Sequence, residues 1–116
     1  MEPSEVVQGL AALAHAVRLR AYRALMVAGP AGLNQKALAD AVGVSPSNLA
    51  FHLRELMLAG LLTREQAGHF VTYRAAYERM ADLLVFLTDN CCQGEPCPVN
   101  ERFVGRRVPS DKGRGC

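Results

Sequence analysis

Two groups of residues in this chain of 116 have types and spacing that could do chemistry. The first is Cys91-Cys92-Gln93-Gly94-Glu95-Pro96-Cys97, which gathers three thiols in one short segment. Thiolates are soft ligands and select soft ions over hard ones. Vicinal Cys91 and Cys92 are close enough to share one ion, and Gly94 and Pro96 can turn the chain so that Cys97 returns as a third ligand. No other cysteine precedes Cys116, so such a site would lie within one subunit. Other chemistries use the same residues. With Cys116 the three could form a four-thiolate zinc site. They could act as a thiol–disulfide sensor, or be chemically inert. Cys116 itself stands in a Gly/Arg end and reads as a spectator.

The second group is Ser45-Pro46-Ser47-Asn48-Leu49-Ala50-Phe51-His52-Leu53-Arg54-Glu55-Leu56. Ser45 can cap a helix, because its hydroxyl accepts from an orphan backbone N–H. Pro46 suits the first helical position. Leu49, Leu53, Leu56 and Gly60 repeat at helical spacing. The other side carries Ser47, Phe51 and Arg54, with Asn48, His52 and Glu55 flanking. Small hydrogen-bonding groups at a helix N-terminus suit entry into a DNA major groove. A solvated amphipathic helix has the same pattern, and the flanking elements decide between the two.

Those elements follow in a recognisable order. Ser4 to Ala14 reads as a first helix, capped by Ser4 and apolar on more than one side. Ala16 to Ala28 reads as a second, with Leu19, Tyr22, Leu25 and Met26 inward and Arg18, Arg20 and Arg23 as its polar decoration. Arg18 or Arg20 could reach phosphate. After the turn Gly29-Pro30-Ala31-Gly32, Asn34 caps a short helix from Gln35 to Ala41, which Gly43 ends. Two short helices joined by a tight glycine turn form the helix-turn-helix pattern. Leu61–Gln66 and His69–Arg74 then read as a hairpin joined at Ala67-Gly68, a wing carrying Arg64, His69 and Arg74. Tyr77 to about Asn90 is a last helix whose inner stripe is Met80, Leu83, Leu84 and Leu87, widened by Val85 and Phe86. That is more apolar surface than a small monomer easily covers, so the first and last helices are expected to form a dimer interface.

The predicted fold is mainly α with a small β-hairpin: a winged helix-turn-helix, dimeric through its first and last helices. Residues 1–97 form the domain and 98–116 a disordered basic tail, rich in Pro, Gly and Arg. Net charge is only +2 and concentrates in that tail, so DNA binding must rest on local patches. No apolar run approaches the roughly 20 residues of a membrane helix. The acidic start MEPSEVV lacks the basic region of a signal peptide. A reducing cytoplasmic location follows, where cysteines are ligands or sensors more often than structural disulfides. Enzyme chemistry is disfavoured: the cysteines follow a helix C-terminus, whose dipole opposes a thiolate, and no Gly-rich phosphate loop is present. A metal-carrying chaperone would not need the helix-turn-helix and wing.

The stretch VSPSNLAFHLRELMLAGLLTREQAGHFVTYRA, at 44–75, resembles the ArsR/SmtB family of winged-helix metalloregulatory repressors. The pairing of FHL with RELMLAGLL and a GHFVTYR wing carries the likeness, which covers roughly positions 4–97. It implies a homodimer that binds operator DNA and leaves it when an inducer binds. Ser47, Asn48, Phe51 and His52 stand at the positions of the family's DNA-reading helix. Ala50 stands where a serine is common, which removes one expected hydrogen bond. Phe51 could meet a thymine methyl instead. Ser45, Gln35, Lys36, Arg54 and the wing residues Arg64, His69 and Arg74 complete the expected DNA-binding set. Some family members bind inducer through cysteines in the helix before the reading helix, but Gln35 to Asp40 has none. Others use histidines and carboxylates on the last helix, which here has Glu78, Asp82 and Asp89 but no histidine. What remains, Cys91, Cys92 and Cys97, resembles the C-terminal triad of the arsenic-responsive branch. The likeness implies trivalent arsenic or antimony as inducer, and no cofactor for DNA binding.

Overall fold

Glu2, not Ser4, opens the first helix. Pro3 takes the first helical position, where no N–H is needed, so the cap falls one residue earlier. The backbone N–H of Glu2 donates to Glu5 Oε1 at 2.9 Å, closing a capping box. In this computed structural model, which describes residues 1–96, 98 and 99, that helix is α1 (Pro3–Leu13). The second, α2 (Ala16–Ala28), has the expected bounds and is capped by His15, whose Nδ1 accepts from Val17 N at 3.2 Å. Its inward stripe is narrower than expected. Ala21, Tyr22 and Leu25 are buried, while Leu19 and Met26, predicted inward, are 49% and 37% exposed.

A 3-10 turn at Gly29–Ala31 leads to α3 (Gln35–Val42), capped by Asn34 Oδ1 accepting from Ala37 N at 2.7 Å. Gly43 follows with φ +88°, a left-handed C′ that lets the chain reverse within two residues. Then α4 (Pro46–Leu58) begins, with Ser45 Oγ accepting from Asn48 N at 3.2 Å. Leu49, Leu53 and Leu56 are fully buried against Leu25, Leu38 and Leu61, which fixes the roll of α4 in the molecule.

The hairpin pairs β1 (Leu62–Ala67) with β2 (Phe70–Ala75) antiparallel, from Leu62↔Ala75 to Ala67↔Phe70. Its two-residue connection is Gly68-His69, one residue later than expected. Gly68 takes φ +64° and His69 does not share the positive φ, which suits a II′ turn with glycine at its first position. Tyr73 and Ala75 turn inward. Leu33 adds a third rung: Leu33 N donates to Tyr73 O at 3.0 Å and Tyr73 N to Leu33 O at 2.8 Å. An isolated hairpin is marginal in water, and this rung ties it to the segment entering α3. The last helix, α5 (Tyr77–Thr88), ends before Asn90. Only Leu83 on it is buried, while Leu84 and Leu87, predicted inward, are 37% and 51% exposed. It meets α1 where Leu83 lies over Gly9 and where Arg79 Nη1 approaches Glu5 Oε2 at 3.7 Å.

Candidate nucleic-acid interface and thiol cluster

The roll of α4 decides which of its polar groups face outward. With Leu49, Leu53 and Leu56 inward, Ser47, Asn48, Phe51 and Arg54 lie exposed on the opposite side. Phe51 is 53% exposed, an apolar ring among hydrogen-bonding groups. Ser45 is exposed too, but its hydroxyl serves the cap and lies 3.4 Å from Ser47 Oγ. Gln35 spans the turn, its Nε2 donating to Pro46 O at 2.7 Å. One end of the Gln35 amide therefore locks the two helices together. Lys36 stands exposed on α3, paired with Asp40 at 3.1 Å one turn on. Such an exposed pair holds its ammonium weakly.

His52 is a correction. It was expected on the outer face, yet it is only 7% exposed. It stands three residues after Leu49 and four before Leu56, so it falls on the buried stripe. Its ring lies 4.5 Å from that of His15 and 5.4 Å, edge-on, from Phe51. Arg18 Nη1 sits 3.4 Å from His52 Nδ1. Burial lowers the His52 pKa below the usual 6.5, and the neighbouring His15 and Arg18 push the same way against a smaller opposite pull from Glu55. His52 therefore positions α4 against α2 instead of meeting a base. Arg18 is corrected with it, because its Nε donates to Ala12 O at 2.7 Å and the guanidinium turns back toward the end of α1. Arg20 remains exposed on α2.

On the wing, Arg64 and His69 are exposed, with Arg64 Nη2 only 3.4 Å from Gln66 Oε1. Arg74 differs from the expectation of a DNA-facing group. Its Nε donates to Pro30 O at 2.7 Å and its Nη1 pairs with Glu65 Oε1 at 2.6 Å, so the guanidinium pins the hairpin to the turn before α3. Phe70, beside the tip, is 78% exposed and was not singled out from the sequence. Strand alternation holds the signal: Val71, Tyr73 and Ala75 turn toward the core, so Phe70 must turn away.

The thiols sit on a second 3-10 turn, Cys91–Gly94, directly after α5. Cys91 is half-buried, Cys92 is exposed, and their sulfurs lie 3.7 Å apart. Two thiolates on one tetrahedral ion at about 2.3 Å would stand about 3.8 Å apart, close to the spacing of this hydrogen-bonded thiol pair. The backbone here is unusual. Asn90, Cys92 and Gln93 take φ of 62°, 56° and 53°, left-handed values that non-glycine residues adopt at a cost. Cys97, the third expected ligand, lies outside the described residues, as does the tail from residue 100 onward. Among the described residues no three His, Cys, Asp or Glu side chains converge as a metal cluster.

Comparison with known proteins agrees with this geometry. A family profile described as a helix-turn-helix domain matches residues 13–65. No curated protein sequence matches the chain. Among solved structures, it is similar to an ArsR-like transcriptional regulator from Rhodococcus sp. RHA1, with 27% identity over 72% of this chain and 76% of that one, and a TM-score of 0.64. It also resembles the homodimeric winged helix-turn-helix DNA-binding domain of Mb0332 from Mycobacterium bovis, a possible ArsR-family regulator. That match has 25% identity, covers 81% and 87% of the two chains, and gives a TM-score of 0.60. Reduced HlyU from Vibrio cholerae matches at 26% identity over 78% and 92%, with a TM-score of 0.56. The fold is thus the winged helix-turn-helix of ArsR-like transcriptional regulators, and no helix among the described residues is long and apolar enough to cross a membrane.

Proposed function

We propose that this chain, built on the winged helix-turn-helix of ArsR-like regulators, is a dimeric repressor that leaves its operator when a trivalent metalloid, As(III) or Sb(III), binds Cys91, Cys92 and Cys97. The observation that carries the reading is that two vicinal thiols come together on a turn directly behind the helix-turn-helix domain, with a third cysteine five residues on in the sequence. Trivalent arsenic is soft, takes three ligands and keeps a lone pair at the fourth corner, so thiolates suit it.

Dimerisation is supported by the outer faces of the terminal helices. Val7 and Leu10 on α1, and Leu84, Val85, Phe86 and Leu87 on α5, are between 37% and 65% exposed. A second copy would cover them and set two α4 helices about 34 Å apart, one turn of DNA. Ser47, Asn48 and Phe51 would supply sequence preference, and Arg54, Lys36, Arg20, Arg64 and the wing tip at His69 would meet phosphate. Affinity would therefore fall steeply with salt.

Metalloid binding would draw Cys97 back onto the turn and tighten the end of α5, which lies in the dimer surface. A ligand shifts such an equilibrium only through its different affinities for the two states, a coupling of about 1–3 kcal/mol. Gel-shift assays on the DNA upstream of the gene test the reading, using wild type and the variant with Cys→Ser at 91, 92 and 97. Wild type should release DNA with arsenite and antimonite, but not with zinc, cadmium or peroxide. Release by peroxide instead would favour a thiol switch, and arsenite release by the triple variant would refute the assignment.

A further inference from the structure

We infer that the groove between α2 and α3 is a binding site for a small amphipathic anion, an apolar chain ending in a carboxylate. The cavity there is about 700 Å³, within the usual range for small-molecule sites. Its walls include Leu19, Val27, Leu33 and Ala41, and its charged lining comes from Arg20 and Arg23. The residues from Leu19 to Ala28 extend about 14 Å along α2 at 1.5 Å per residue, long enough for a single medium-length chain.

Three observations select this occupant. First, the apolar lining is contiguous and left open by the described residues: Leu19 is 49% and Val27 78% exposed, although both lie on a helix whose inner stripe is buried. Scattered exposed apolar residues need no explanation, but a continuous trough does. Second, the groove's charge has one sign. No acidic residue lines it, and among the described residues neither Arg20 nor Arg23 is in an ion pair. Guanidinium groups bind a carboxylate with two parallel hydrogen bonds, and their stems pack on apolar surface. Third, the floor of the groove is mechanically connected. Leu33 carries the backbone rung to Tyr73 of the wing, and Ala41 lies on the helix that precedes the reading helix. An occupant would press on the segment that sets both DNA-facing elements.

The groove shares Arg20 with the proposed phosphate contacts, but its test contains neither DNA nor metalloid, so its failure leaves that reading untouched. The full-length chain is titrated with decanoate and, separately, decanol, followed by calorimetry and methyl NMR. Decanoate should bind saturably, shift the methyls of Leu19, Val27 and Leu33, and bind more tightly than decanol. The double variant Arg20→Gln/Arg23→Gln should weaken decanoate by about tenfold, one charge-assisted contact, and leave decanol unchanged. Val27→Asp, at an exposed position that the fold does not need, should abolish binding of both. Equal binding of the two probes, shifts confined to Leu84 and Leu87 on the other apolar face, or no saturable binding would each overturn the inference. So would a change of oligomeric state with Val27→Asp, which would show that a second copy covers the groove.

Discussion

The reading head and the thiol turn are built on opposite principles. In the head, from Asn34 to Leu58, several polar groups near the turn have structural duties. Asn34 and Ser45 cap, Gln35 bridges to Pro46, Gly43 reverses the chain, and three leucines fix the roll of α4. In the thiol turn, Asn90, Cys92 and Gln93 hold left-handed backbone, and Cys92, Gln93 and Glu95 lie exposed. Where sequence must be read, geometry is set in advance by packing. In the thiol turn the donors stay near the surface, as the proposed capture of a ligand would require.

That contrast can be broken by substitution. Leu53→Ala should have the largest effect, lowering stability by about 2–5 kcal/mol in denaturant unfolding, because it leaves a cavity at a site with no slack. Loss of less than about 1 kcal/mol would mean that the head is not tightly packed. Gly32→Ala should come next. Gly32 has φ +69°, and an added Cβ would strike the Tyr73 carbonyl, so the wing must move off α3. Thermal unfolding should show a drop larger than that of any cap variant. Ser45→Ala should cost about 1 kcal/mol, the usual value of a lost cap. At the other extreme, Cys91→Ser and Cys92→Ser should change stability by less than about 0.5 kcal/mol. A large loss there would show that the turn is part of the packed structure and would erase the contrast.

Acid sharpens the comparison. The folded pKa of His52 is depressed, chiefly by burial, so the folded state favours the neutral ring. Its stabilising contribution is complete above the unfolded value of about 6.5. It falls away as pH drops from there through the folded value. Unfolding free energy followed over that range should decline in wild type. The decline should be shallower in His52→Gln, whose amide does not titrate there. His15, Arg18 and Glu55 face the ring from the cap of α2, α2 and α4, and an equal slope in the variant would show that His52 is not the group responsible.

Much of this molecule was legible one residue at a time. The caps at Asn34 and Ser45, the stops at Gly29 and Gly43, the bounds of α2 and the leucine stripe of α4 follow from local rules, and local rules hold because their partners lie within one turn of chain. The errors share a different cause. His52 reads as a flanking polar residue until the depth of α4 in the core is known. Arg18 and Arg74 read as phosphate ligands until Ala12 O and Pro30 O, far away in sequence or beyond a turn, are seen to take their guanidiniums. Leu19 and Met26 read as core residues because their periodicity is right, yet no described element of the chain comes to cover them.

Sequence alone therefore determined the order of the helices, the bounds of α2 and the start of α4, that a winged helix-turn-helix forms, and that three thiols follow it. Tertiary structure decided which charged groups remain available to a ligand, because a guanidinium or an imidazole is claimed by whichever carbonyl or ring packing delivers to it. Helix spacing encodes a direction around an axis. It does not encode how far the neighbouring element reaches, and that distance separates a buried histidine from one that touches DNA.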